Sequence, residues 1–199
     1  MEFTIVEINF GLLNQRCFMV TFDGTGIFIT VTHTADVVEH WITMANTLRG
    51  EFPGRFPVGL GVQWTPGDGD PPADTLQLCV DSQCLVYQLS NSPRVPDSLQ
   101  EFLMNPGNIF VGLWNHRDRW KLSISGHRLR MLRDPLDMAN YVEEYLGIPG
   151  VPISQKICMS VWRDEYLNYE QVLQVTLDAH FAFVIGGDIR AWEFNLVGP

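Results

Sequence analysis

Val58-Gly59-Leu60-Gly61-Val62-Gln63-Trp64 reads as the body of a β-strand running over residues 56–64. Residues two apart on a strand look toward the same face, so Gly61 and Gln63 share a face. Neither carries a charge. The run ends in Pro-Gly-Asp-Gly-Asp-Pro-Pro at 66–72, which is loop composition. Two further runs, 75–80 and 84–88, are β-branched and apolar and face each other as a hairpin across Asp81-Ser82-Gln83. Together they make a three-strand meander.

Upstream, 17–22 and 26–32 form another hairpin around Asp23-Gly24. Thr34 is a candidate N-cap for a helix carrying Val37, Val38, Trp41 and Ile42 at helical spacing, ending near Gly50 and Pro53. Downstream, a short helix over 96–104 begins at Pro96-Asp97-Ser98. The run 109–113 is apolar on both faces, which predicts a central strand. Helices follow over 137–146 and from Asn168 or Tyr169 to Ile185, stopped by Gly186-Gly187. Between them Ile148-Pro149-Gly150-Val151-Pro152 leaves room for a short helix or none. This order predicts an α/β fold built on one mixed sheet.

With 199 residues, 46% hydrophobic and 18% charged, the chain has the composition of one globular domain rather than of a disordered segment. No apolar run is long enough to span a membrane, and the N-terminal stretch, with Glu2 and Glu7, does not read as a signal peptide. Cys17, Cys79, Cys84 and Cys158 form no CxxC pair, which predicts four reduced, mostly buried thiols in an intracellular protein, cytoplasmic or nuclear. A net charge of −10 weighs against a general nucleic-acid binder. Yet Arg117, Arg119, Lys121, Arg128, Arg130 and Arg133 cluster within 117–133, opposed there only by Asp118.

Four ordered blocks resemble the DEDD-type 3′-5′ exonucleases, and in particular the plant proteins similar to the exonuclease domain of the Werner-syndrome helicase. They are VGLGVQW (58–64), TLQLCVDSQCLVYQL (75–89), FVGLWNHRDRWKL (110–122) and YEQVLQVTLDAHFAFVIG (169–186). The lead-in TVTHTADVVEHW (30–41) is similar to those proteins as well. The resemblance covers residues 15–192, with 1–14 as an N-terminal extension and 193–199 as a tail. It implies an RNase H-like fold, a mixed β-sheet flanked by helices.

In that family two acids of the first block and one each of the third and fourth hold two Mg²⁺ or Mn²⁺ ions, and a tyrosine orients the attacking water. The resemblance places Gly61 and Gln63 at the first two acid positions, Asp118 and Asp178 at the others, and Gln174 at the tyrosine. Three of five positions thus lack the family's group, so no catalytic residue and no cofactor are expected. Two carboxylates suit at best one weakly held ion, and Asp118 and Asp178 are the only metal candidates. Read without the family, Asp118 is a helix N-terminal acid and Asp178 a hydrogen-bonded polar residue. His116 and His180 flank them, at a spacing that fits no metal-ligand pattern.

Trp114, where the family has glycine, either fills space a base would use or is a core aromatic. Gly59 and Gly112 are expected to permit close backbone packing. Trp114, Trp120, Arg128, Arg130 and Arg133 are the candidate binding residues. They form a solvated surface, a grip for phosphates, or a receptor for an acidic protein surface. The expected function is that of a catalytically inactive exonuclease-like protein acting by binding a protein partner or itself. The alternatives are a nucleic-acid-binding module and a weak residual 3′-5′ exonuclease.

Overall fold

The computed structural model describes residues 3–50, 54–146 and 154–193. Eight strands form one mixed sheet: β1 (Phe3–Ile8), β2 (Arg16–Phe22), β3 (Thr25–Thr32), β4 (Phe56–Gln63), β5 (Thr75–Val80), β6 (Gln83–Gln88), β7 (Asn108–Gly112) and β8 (Leu136–Asp137). Their spatial order is β1-β2-β3-β6-β5-β4-β7-β8. The pairs β3–β6, β4–β7 and β7–β8 are parallel and the other four antiparallel. The helices are α1 (Ala35–Arg49), α2 (Asp97–Met104), α3 (Asp118–Ser123), α4 (Ala139–Leu146), α5 (Gln155–Cys158) and α6 (Tyr169–Asp188). This is the RNase H-like layout, a mixed sheet between two helical layers.

Period-two alternation assigns each strand residue to one of two cores. Val58, Leu60 and Val62 of β4 and Leu76, Leu78 and Val80 of β5 pack with Val38, Trp41 and Ile42 of α1 and Leu99, Phe102 and Leu103 of α2. Cys79, Ile109 and Val111 look to the other side, where Val172, Val175, Ala179 and Ala182 of α6 close the second core. The residues between the apolar positions of β4 therefore face α6. Gly59 lets that helix come close, since a Cβ there would lie 1.9 Å from the Ala179 carbonyl oxygen.

Several expectations need correction. Within the 1–14 stretch, β1 pairs with β2 from Phe3↔Phe22 to Ile8↔Cys17, extending the sheet. The strand β7 is buried at all five positions, yet only two-residue β8 lies beyond it. Its burial comes from both helical layers, not from a central place. The 137–146 helix starts later, because Leu136–Asp137 is strand β8 and Ala139 opens α4. Helix α6 runs through Gly186-Gly187 to Asp188. A Cβ on Gly186 would stand 3.0 Å from both Val111 Cγ atoms, so this glycine makes a helix–sheet approach possible rather than ending the helix. The start of α6 is as expected, with Asn168 and Gln171 forming a capping box. Thr34 precedes α1 but makes no side-chain cap bond. Pro53, the 148–152 breaker and most of the 193–199 tail lie outside the described residues.

The cysteines also depart from expectation. The β5–β6 turn has two residues, Asp81-Ser82, because Gln83 pairs with Val80. That shift sets Cys79 opposite Cys84, Cα atoms 4.2 Å apart, joined as a disulfide. Cys17 and Cys158 are free. Among the described residues no helix is long and apolar enough to cross a membrane.

Candidate functional site

Strand β4 ends, β7 ends and α6 passes above them, and between these elements lies a cavity of about 290 Å³. Gly61, Gln63, Trp64, Trp114, Asp118, Cys158 and Asp178 line it. Four of the five sequence-selected positions thus meet at one place. The fifth, Gln174, joins them one helical turn before Asp178, where its Nε2 donates to Asp178 Oδ1 at 3.0 Å.

Gly61 is paired with Gln77 across the β4–β5 ladder. The Gln77 side chain leans over it: a Cβ on Gly61 would lie 2.9 Å from Gln77 Oε1. Gln77 Nε2 donates to Thr75 Oγ1 at 2.7 Å, while Oε1 is buried and has no hydrogen-bond partner among the described residues. An amide thus stands over the position at which the family resemblance places a metal-binding carboxylate.

Asp118 is the first residue of α3, with its backbone N–H donating to Asn115 O at 3.0 Å, and its side chain is buried. Burial pushes its carboxyl well above the usual range, and the charges of Asp137 and Asp178 add to the rise. Burial also raises Asp178, to about 7, against the opposing hydrogen bond from Gln174. Neither acid has a cationic partner among the described residues. The Cys158 thiol is raised by burial and then by Asp178. The site therefore favours protonated acids.

Hard divalent ions need anionic oxygens that converge. Among the described residues no three acidic, imidazole or thiol groups of this cavity bring ligand atoms within 4.8 Å of one another. Gly61 offers no donor and Gln63 a neutral amide, so the donor set does not fit two Mg²⁺ or Mn²⁺ ions. His116 is exposed on the loop before α3. His180 faces away from Asp178, toward Cys79 and the Asp81 carbonyl.

Trp114 is not a core aromatic. It is half exposed on the cavity rim at φ 50°, and its backbone N–H donates to Asp137 Oδ1 at 3.1 Å. Gly112 is required for packing, since a Cβ would lie 2.8 Å from Leu60 O.

The basic segment divides in two. Asp70 of the 66–72 loop binds Arg117 (2.6 Å), Lys121 Nζ (2.6 Å) and Trp120 Nε1 (2.5 Å). Lys121 is fully buried and lies 4.5 Å from the Trp64 ring centroid. Arg119 pairs with Asp134 at 3.2 Å. Arg128, Arg130 and Arg133 have no ion pair among the described residues, and Arg128 and Arg130 are exposed. Beside them a second, wider hollow of about 570 Å³ is lined by Met104, Arg119, Trp120, Arg130, Met131 and Leu132, among others. The binding candidates therefore separate: Trp114 belongs to the first cavity and Trp120 with Arg130 to the second.

Sequence reasoning missed Gln77, Cys158 and Asp137. The Gly61↔Gln77 pairing joins two strands separated by the long 64–74 loop, so no turn in the sequence fixes its register. Asp137 and Cys158 come from segments remote in sequence, whose approach no local pattern encodes.

No protein-family model and no curated protein sequence matches the chain. Solved structures do. E. coli RNase D, an exoribonuclease involved in structured RNA processing, matches with TM-score 0.60 and 14% identity, over 81% of this chain and 44% of that one. The EXO domain of Aedes aegypti Nibbler matches with TM-score 0.56 and 13% identity, over 81% of this chain and 87% of that domain. The chain spans less than half the length of RNase D. At these identities the likeness is one of fold, and the fold is that of DEDD-type 3′-5′ exonuclease domains.

Proposed function

We propose that this chain is a non-catalytic exonuclease-fold domain that acts by binding, with a protein partner or a second copy of itself. The four sequence blocks support descent from Werner-syndrome-like exonucleases of plants. The observation that carries the reading is the donor set at the cavity. Two carboxyl groups remain there, both pushed toward the protonated form. The position between β4 and α6 is a glycine under the Gln77 amide. A two-ion hydrolysis needs bound, ionised ligands on both sides of the scissile phosphate, and this set supplies neither the number nor the charge. No Mg²⁺ or Mn²⁺ cofactor is expected to be held at this cavity.

The binding face proposed is the surface around Trp120, Arg128, Arg130 and Arg133. It joins an exposed aromatic, exposed Met104 and Leu132, and three arginines that have no ion pair among the described residues. Arginine and tryptophan are frequent interface anchors, and a −10 chain offers a complementary acidic face to a second copy.

The second reading is nucleic-acid binding without cleavage. Trp114 favours it, because its ring is half exposed on the cavity rim, within reach of a stacked base. Weak residual exonuclease activity is the third.

The deciding experiment is digestion of end-labelled single- and double-stranded DNA and structured RNA with Mg²⁺ or Mn²⁺. No shortening is expected. Progressive shortening that Asp118→Ala abolishes would overturn the proposal.

A further inference from the structure

Away from the cavity, Cys79, Cys84 and His180 bring two sulfurs and an imidazole nitrogen within 4.8 Å of one another, all buried. We propose that, when the Cys79–Cys84 pair is reduced, these three residues form a binding site for a thiophilic divalent cation, with Zn²⁺ the ion of best fit.

The two-residue turn sets the cysteines directly opposite each other on β5 and β6. The turn is anchored from a third strand, as Phe28 N–H of β3 donates to Ser82 O at 2.8 Å. His180 comes from the 20-residue helix α6, on the side turned away from Asp178. Three donors are therefore fixed by two rigid elements rather than by a loop.

Distance and donor type agree. Cys79 Sγ lies 3.8 Å from His180 Nδ1. Tetrahedral Zn²⁺, with Zn–S near 2.3 Å and Zn–N near 2.0 Å, separates such ligand atoms by about 3.5–3.8 Å. The Asp81 carbonyl oxygen lies 3.5 Å from Cys79 Sγ and 3.2 Å from His180 Nδ1, in position for a fourth, weaker donor. In the disulfide form Nδ1 donates its proton to the Asp81 carbonyl, which can only accept, so binding through Nδ1 moves the His180 proton to Nε2.

Charge selects among soft ions. Two thiolates and a neutral imidazole cancel a divalent cation, leaving a buried site with no net charge. A monovalent soft ion would leave a buried negative charge among apolar neighbours, which is costly. Hard ions such as Mg²⁺ reject sulfur. In the disulfide form both sulfur donors are consumed, so the site belongs to the reduced protein alone.

The test uses the full chain, reduced and freed of metal, with Zn²⁺ titrated against a chromophoric chelator. One Zn²⁺ per chain is expected, absent in Cys79→Ser and in Cys84→Ser and retained in Cys17→Ser and Cys158→Ser. His180→Gln should weaken it by about 100-fold or more, since even an outer-shell partner costs about 10–100-fold. Co²⁺ gives a second readout: thiolate-to-metal charge-transfer absorption in the reduced wild type, and none in the oxidised protein. Circular dichroism checks the fold of each variant. Three results would each overturn the proposal: no bound Zn²⁺ when thiol titration shows the pair reduced, binding that survives loss of either cysteine, or Co²⁺ binding without the thiolate band.

Discussion

Gln77 and Gly61 face each other across β4 and β5, with the Gln77 amide oxygen 2.9 Å from where a side chain on residue 61 would begin. That contact couples the missing carboxylate to a neighbouring strand. A side chain at residue 61 would displace the far end of a flexible amide, not backbone, so the change is sterically mild. If the amide turned, its N–H could donate to the new group, replacing an oxygen that has no partner among the described residues. The barrier to rebuilding the acid site is therefore electrostatic rather than steric.

The first prediction follows. Gly61→Asp with Gln63→Glu and Gln174→Tyr should fold. In chelator it should melt below wild type, because added carboxylates crowd Asp118 and Asp178. Mn²⁺ should then raise its melting temperature by several degrees. For wild type, with a Kd in the millimolar range or weaker, stabilisation at ~1 mM ion should stay under about 0.5 kcal/mol. Melts with Mn²⁺, Mg²⁺ and chelator measure both. A rise of several degrees in wild type would reveal an ion site that two carboxylates do not explain.

The raised acids make stability pH-dependent. Asp178 goes from an ordinary 3.8 to about 7 in the folded chain. Between those values the folded chain keeps a proton that the unfolded chain releases. The stabilising effect is complete below pH ~4, is lost as pH rises toward 7, and changes little above. The displacement sets a ceiling of about 4 kcal/mol on this contribution. Asp178→Asn should leave stability near pH 4 unchanged and raise it at pH 8, with a flatter profile between. Denaturant unfolding across pH reads it, and equal slopes in both proteins would show Asp178 to be ionised at its ordinary pKa.

Gly59 and Gly61 lie on one face of one strand but answer to different constraints. At Gly59 the obstacle is backbone, the Ala179 carbonyl at 1.9 Å, and α6 would have to move off the sheet. Gly59→Ala should therefore cost about 3 kcal/mol or more, at or beyond the upper end of overpacking effects. Gly61→Ala meets only a movable amide and should cost much less. Thermal melts of the two variants, side by side, check the contrast. Similar losses would mean that strand conformation, not contact, sets the requirement.

How much of this was legible depended on the range of the pattern. β-branched and apolar runs bounded by turn residues located β2 to β7, and the two-residue period told which residues of β4 share a face, so Gly61 and Gln63 were placed together without coordinates. Resemblance added Asp118, Gln174 and Asp178 from distant segments, and the fold brings all five around one cavity. What escaped depended on one-residue register or on tertiary partners. Reading the β5–β6 turn as three residues hid the facing cysteines, and two residues put them in register. Gly186 looked like a helix stop because the approach of Val111 is not encoded locally. Lys121 looked like one more surface cation, yet Asp70, from a loop about 50 positions away, takes it into the interior.

That division of the basic segment sharpens the last prediction. Arg117, Lys121 and Arg119 already have internal acids, so reversing them would break intramolecular pairs as well as any interface. Arg128 and Arg130 have none among the described residues, and Arg130's side chain borders the hollow that Trp120 lines. Its backbone N–H and C=O are tied to Gln100, at 3.0 and 2.9 Å, which holds the segment in place whatever side chain it carries. Arg128→Glu with Arg130→Glu should therefore leave the melting temperature nearly unchanged, since exposed charges contribute little to stability. Association with itself or with an acidic partner should weaken, most at low salt, where exposed charges are least screened. Trp120→Ala should weaken it in a way that salt does not alter. Sedimentation and co-precipitation at two ionic strengths measure this. Association unchanged by either substitution would place the interface elsewhere on the chain, and loss of oligonucleotide binding alone would move nucleic-acid recognition to first place.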